Sequence, residues 1–360
     1  MDLQILTNPG PKPPIHIYVD DLTAREIDVT TMNITNLEIK GDLKVDGYSN
    51  SETLNAGMVL LAAANAFVST PAGTGGGTMN YNPSLHQVFA SGLAGGVSTY
   101  MVTNDGSTWT QVTLPSADVV VQYSPTLNFY SGIHTGGNQV YTSVSAATGT
   151  WTAQPAAPFN FSGDAIAWIP GFNKFYTDTT DPANVLCYSS DGINYIKVPS
   201  TRIPLGFAYS GPLNMIVMVG PNGPSYSLDG ISWANSVQTY PMEGVCWSDF
   251  WKMFVAIPRG GDLTAIYTSV DGKTWVLTHN AFPTSPTSLR CIAWSQQYEV
   301  FAVLGDHNFF FLSQDGFSWR QVNTTDAGQA IYGCIFVDQW GLLSGTGNGH
   351  FAFSTAKLYQ

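Results

Sequence analysis

From residue 79 onward the apolar residues fall in short runs, each ending in an aromatic residue and then a turn. The closing aromatics are Tyr81, Tyr123, Trp168, Tyr209, Trp247 and Trp294, and a seventh run, Gly333–Asp338 (GCIFVD), puts Val337 in the same place. A second apolar run follows each marker, as at Val300–Leu304, and a third leads into an Asp-Gly pair. Short apolar runs separated by turn residues predict strands. The repeating unit is four short strands in about 42 residues, which is the period and strand count of a β-propeller blade.

The Asp-Gly pairs sit in a longer string, Ser-x-Asp-Gly-x-x-Trp. It occurs at Ser227–Trp233 (SLDGISW), Ser269–Trp275 (SVDGKTW) and Ser313–Trp319 (SQDGFSW). Thr103–Trp109 (TNDGSTW) and Ser189–Tyr195 (SSDGINY) are close variants, and Ala147–Trp151 (ATGTW) is a degraded copy. Successive terminal aromatics are 42, 44, 38, 42 and 44 residues apart. A carboxylate in such a turn accepts hydrogen bonds from backbone N–H groups, and glycine supplies the positive φ. Asp105, Asp191, Asp229, Asp271 and Asp315 are therefore assigned to turn structure. Each lies in a different blade, so they do not form a metal site.

Seven markers predict an all-β fold with a seven-bladed β-propeller over residues 57–360. Six or eight blades also fit, because Met58–Thr70 faintly resembles Leu342–Thr355. The last copy lacks an obvious fourth strand. Either Ala356–Gln360 or residues 57–70 supplies it, the latter closing the ring, and an open ring would leave unpaired strand edges. The strings resemble the Asp-box, or BNR, repeat of sialidases and many other propellers, over roughly residues 79–355. That resemblance implies that the Asp-Gly hairpins join third and fourth strands, away from the usual binding face. Ligands would meet the mouth formed by loops leading into the innermost strands.

The first 56 residues differ in composition. They hold nine acidic and four basic residues, half as many charges as the remaining 304 residues together. Residues 1–20 include Pro9, Pro11, Pro13 and Pro14, which read either as a disordered tail or as an extended anchoring peptide that becomes ordered in a partner's groove. In residues 21–56, Ile27, Met32 and Leu37 recur every five residues, and Val29, Ile34 and Ile39 follow each by two. Leu43 and Val45 continue the pairing. Such short strands must stack on themselves or on other chains. The segment resembles the β-shafts of viral and phage fibre proteins, which are usually trimeric; a plain hairpin packed on the main domain is the alternative.

The net charge of −12 argues against a nucleic-acid partner. No run reaches the length of a membrane helix, and the start lacks the features of a signal peptide. The four cysteines, 187, 246, 291 and 334, have no zinc spacing; Cys291 and Cys334 occupy matching positions and read as small buried thiols. His307 and His350 fall in matching hairpins without an evident third ligand. No cofactor is expected.

Four residues before the marker aromatic stand Asp164, Glu243 and Arg290, with Arg202 in a nearby entry loop. In this charge-poor domain they form a partial ring at the mouth, read either as ligand contacts or as an inter-blade salt-bridge network. A sialidase would need an arginine triad, and the propeller region has only Arg202, Arg259, Arg290 and Arg320. Arg259 lies well past the first strand of its blade, and Glu243 would have to pair with Tyr240. The chain is therefore expected not to be an enzyme, although a two-carboxylate glycosidase built on Asp164 and Glu243 stays open. Phe250, Trp251 and Tyr298 in turns, and the run Phe309–Phe311, suit sugar or protein contact as well as core packing.

The whole chain thus resembles a virion-surface fibre or spike protein, made in the host cytoplasm without a signal peptide. Its N-terminal segment would engage other virion proteins and trimerise it, and its head would bind a host glycan or protein receptor. The alternatives are a sialidase-like glycan-processing enzyme and a non-binding virion scaffold.

Overall fold

The computed structural model describes residues 79–321 apart from short gaps, and the strands flanking them at 44–45, 48–49, 59–62, 66–69 and between 331 and 359. The chain separates into two compact units, residues 1–59 with 359–360, and residues 60–358. In the first unit Lys44–Val45 pairs antiparallel with Tyr48–Ser49. The extended peptide and the five-residue shaft rhythm otherwise lie outside the described residues.

The second unit is an all-β propeller. Six four-stranded antiparallel sheets follow one another along the chain, numbered here as blades 1 to 6. Their first strands are Met79–Asn82, Val119–Ser124, Phe161–Ile169, Gly206–Ser210, Met242–Ser248 and Leu289–Ser295. Neighbouring first strands touch one another in this order. A further four-stranded sheet is ordered Ile331–Val337, Gly341–Thr346, Ala356–Tyr359, Val59–Ala62. Both candidates for the missing outer strand are therefore used. In addition His350–Phe353, the third apolar run of the last copy, pairs with Ala66–Ser69.

Second strands are buried on both faces, because each blade lies between two others. Met215–Val219, Met253–Pro258 and Val300–Gly305 are buried at every position, which explains their continuous apolar runs. The core lies in the seams. Between blades 5 and 6, Val255 and Ile257 meet Phe301, Val303, Phe311 and Trp319. The Phe309–Phe311 run is spent here: Phe310 and Phe311 are buried, and Phe309 stacks on Phe311.

The Asp-Gly turns have one geometry and join third to fourth strands. In blade 4, Asp229 Oδ1 accepts from the N–H groups of Ile231 (2.8 Å) and Ser232 (2.7 Å) and from the Ser227 hydroxyl (3.0 Å). Gly230, at φ +71°, donates its N–H to Ser227 Oγ at 2.9 Å. Asp191, Asp271 and Asp315 repeat the arrangement, and Asp105 does so with Thr103 in place of serine. The degraded copy starts earlier than ATGTW indicates. Ser143 Oγ accepts the N–H of Ala146 at 3.0 Å, and Ala146 takes the positive φ of 56° that glycine has elsewhere.

Candidate functional site

Within a blade the first strand begins, and the antiparallel second strand ends, at the end opposite the Asp-Gly turns. Side chains at these two positions face each other across the ladder. Blades 5 and 6 place charges at both and blade 3 at the first, and the first strands gather them at one mouth.

In blade 5 the pair is Glu243 and Arg259, with Nη1 to Oε2 at 3.2 Å. Strand Met253–Pro258 returns to the start of Met242–Ser248. Arg259 is therefore beside Glu243 despite its distance along the sequence, contrary to the expectation that it falls away from the mouth. Burial pushes the Glu243 carboxyl up, against the pull of Arg259 and then Arg290. Tyr240 is not its partner; it stacks on Tyr267 at 5.0 Å between centroids.

In blade 6 Arg290 grips Asp306 bidentately, Nε to Oδ1 at 3.0 Å and Nη2 to Oδ2 at 2.9 Å. Glu243 feels both Arg290 and Asp306, so the pairs of blades 5 and 6 form one alternating chain of charge.

Blade 3 departs from this pattern because Thr180 holds the second-strand position and a second acid, Asp178, stands two residues before it. Between Phe161 and Ile166 the ladder shifts register, so Ser162–Ala165 bulge opposite Asp178. Asp178 Oδ1 holds the bulge by accepting the N–H groups of Gly163 and Asp164, both at 3.0 Å. Gly163 is required there: φ is +78°, and a Cβ would come within 2.5 Å of Thr135 Oγ1 from blade 2. Asp178 is 1% exposed, and its Oδ2 has no hydrogen-bond partner. Burial, and next the Asp164 charge, push its carboxyl up to about 7. Asp164 is exposed and accepts the Ser162 hydroxyl at 3.0 Å.

Arg202 does not join this ring through any described contact. It is 8% exposed and gives its guanidinium to the carbonyl oxygens of Pro224 and Ser236 in blade 4. Of the four expected residues, Asp164, Glu243 and Arg290 thus hold matching mouth positions, whereas Arg202 ties backbone together. Asp178 and Asp306 were missed, and Arg259 was placed away from the mouth. Their signal is a spacing of 14 to 16 residues from the first-strand charge, readable only once the hairpin is assumed.

Further out on the same face, Lys197 pairs with Asp181 and His279 Nδ1 with Asp262, each at 2.7 Å. Among the described residues no three of His, Cys, Asp and Glu converge as a metal cluster. The pairing of His307 with His350 lies outside the described side chains. All four cysteines are free; the Cys291 thiol is raised by burial and then by the neighbouring Cys334. At the opposite end Phe250 and Trp251 are exposed, and Trp251 Nε1 donates to the Gln314 carbonyl. Tyr298 lies 6.5 Å from the Phe336 ring.

No protein-family model matches this sequence, and neither does any curated protein. Many solved structures share the fold. Virginiamycin B lyase from Staphylococcus aureus is similar over 81% of this chain and 99% of its own, with a TM-score of 0.64 and 11% identity. YCF48 from Cyanidioschyzon merolae matches over 81% and 98%, at a TM-score of 0.58 and 12% identity. The WD40 propeller domain of Doa1 matches over 84% and 97%, at 0.59 and 10%. Likeness at this identity establishes the propeller fold.

Proposed function

We propose that the chain is an attachment protein of a virus or phage particle. Residues 1–56 hold it to the particle and trimerise it, and the propeller presents its charged mouth to a glycan or protein on the host surface. The observation that carries this reading is the asymmetry of charge use. Carboxylates at the turn end accept their own backbone N–H groups. At the mouth Glu243 and Asp306 instead meet arginine side chains, and Arg259 keeps part of its guanidinium toward solvent. The shaft and Asp-box resemblances support the same plan. Three heads on one particle would gain strength through effective concentration.

We further infer a ring of seven blades. Ile331–Val337 touches both Leu289–Ser295 and Met79–Asn82, which favours closure with the sheet containing Val59–Ala62 as the seventh blade.

Glycan arrays and host-cell panels probed with the labelled full chain test the attachment reading. Saturable binding supports it, and no binding to any surface favours a scaffold. Light scattering tests the shaft: deletion of residues 1–56 is expected to convert a trimer into a monomer, and a head that stays trimeric overturns that part. A glycan-processing enzyme is the second reading, favoured by the raised carboxyls of Asp178 and Glu243 at one mouth. Glycan cleavage abolished by Glu243→Gln would select it.

A further inference from the structure

The mouth positions compared blade by blade expose a missing charge. Blade 5 answers Glu243 with Arg259, and blade 6 answers Asp306 with Arg290. Blade 3 has Asp164 at the first of these positions and Thr180 at the second, with a second acid, Asp178, two residues earlier on the same strand; among the described residues no basic side chain pairs with either acid. The lysine of that blade's outer strand, Lys197, is bonded to Asp181. Like carboxyls this close repel one another, and a buried one also forfeits its hydration.

Asp178 sharpens the imbalance. Its Oδ1 is saturated by two backbone N–H groups, while Oδ2 is buried without a partner. An orphaned buried oxygen calls for an occupant that donates positive charge. The polar groups in contact at the bulge are oxygens, although the buried Cys187 thiol on the paired strand also feels the Asp178 charge. Asp164 is within hydrogen-bonding reach of Asp178, Ser162 Oγ lies on Asp164, and Thr135 Oγ1 comes in from blade 2 against Gly163. No thiol or imidazole hydrogen-bonds to either carboxylate among the described contacts. An all-oxygen set with two carboxylates, hydroxyls and open access for water suits a hard cation rather than a soft or borderline one. The bulge is already braced by Oδ1, so Oδ2 is held in place without a bound ion.

We propose that Asp164 and Asp178 are the carboxylate ligands of a site for one hard divalent cation of the calcium type, at the mouth of blade 3 beside blade 2. Solvent completes the coordination. The cation would supply the positive charge that no described side chain brings to these two acids. This site goes beyond the attachment reading and stands whether or not a host ligand binds the mouth.

Calorimetric titration of the full chain with calcium chloride at pH 8 tests it, with thermal melts in calcium and in EDTA. The expected result is one calcium per chain, with a Kd on the order of 10⁻⁴–10⁻³ M, and a higher Tm in calcium. Asp178→Asn keeps an acceptor for the two N–H groups and is expected to fold, yet to bind calcium at least about tenfold more weakly. Asp164→Asn, at an exposed position, gives the same loss with no folding burden. Asp249→Asn, at the turn end, leaves the affinity unchanged. A wild-type chain with neither calcium heat nor a Tm shift overturns the proposal, as does Asp164→Asn binding calcium like the wild type.

Discussion

The Tyr176 hydroxyl donates a 2.9 Å hydrogen bond to the carbonyl oxygen of Gly230, across the seam between blades 3 and 4. In blades 3 to 6 the turn glycine sits on the second strand of the preceding blade. Ser131 Oγ donates to the Gly192 carbonyl at 2.7 Å. A Cβ on Gly272 would meet Val217 at 2.9 Å, and one on Gly316 would meet Val255 at 3.3 Å. Ser131, Tyr176, Val217 and Val255 all follow the residue paired with their blade's marker aromatic. The glycine is thus fixed twice, by its φ and by the neighbouring blade.

Tyr176→Phe removes the donor and leaves a buried carbonyl, at an expected cost of about 1–2 kcal/mol. Gly230→Ala adds a methyl 2.2 Å from Tyr176 Oη at φ +71° and costs more, upwards of about 2 kcal/mol. Ala146→Gly, at the one turn that already tolerates a side chain, changes stability by less than about 1 kcal/mol. Urea melts of the three variants give the order.

The turn carboxylates set the acid limit. For Asp191 slight burial raises the pKa, but hydrogen bonds from the Asn194 side chain and from the Asn194 and Ile193 backbones outweigh it, holding the group down at about 2. Asp229, Asp271 and Asp315 are lowered as well. A carboxyl whose folded pKa lies below its unfolded value of about 4 adds stability above that pH, and the gain is lost as pH falls toward 2. The Tm is expected to fall steeply between pH 4 and pH 2. Asp191→Asn should make the fall shallower, as thermal melts across that range would reveal.

At the mouth the two ion pairs differ in burial. Arg290→Ala strands a half-buried Asp306 that had a bidentate partner and is expected to cost about 2–3 kcal/mol. Arg259→Ala breaks a more exposed, single contact and is expected to cost about 1 kcal/mol or less. Equal losses in denaturant melts would contradict this ranking.

Burial raises the thiols of Cys187, Cys246 and Cys291 well above their ordinary value. Thiolate is the reactive form, so a disulfide reagent is expected to label these three slowly in the native chain at pH 8 and fully in guanidinium. Rapid labelling of all three in the folded protein would mean that the seams open readily.

The sequence made the repeat legible because the same residues return at one spacing. The marker aromatics and the Ser-x-Asp-Gly strings located six blades and the five Asp-Gly turns described in them. What it hid depends on the return of the chain. Arg259 and Asp306 reach the mouth because a second strand runs antiparallel to the first, and neither carries a local motif. Asp178 is visible only through the bulge it braces. Arg202 looked like a mouth residue from its entry loop, yet the backbone carbonyls of Pro224 and Ser236 claim its guanidinium. The last copy misled because His350–Phe353 pairs with Ala66–Ser69 from the other end of the propeller region.

Binding to the host surface, measured on the full chain with one variant at each end of the propeller, tests the attachment reading most directly. Arg259→Ala at the mouth is predicted to abolish binding to the responsive glycan or cell while the fold is retained, and Phe250→Ala at the turn end is predicted to leave it intact. Binding that survives Arg259→Ala but is lost in Phe250→Ala would contradict the account.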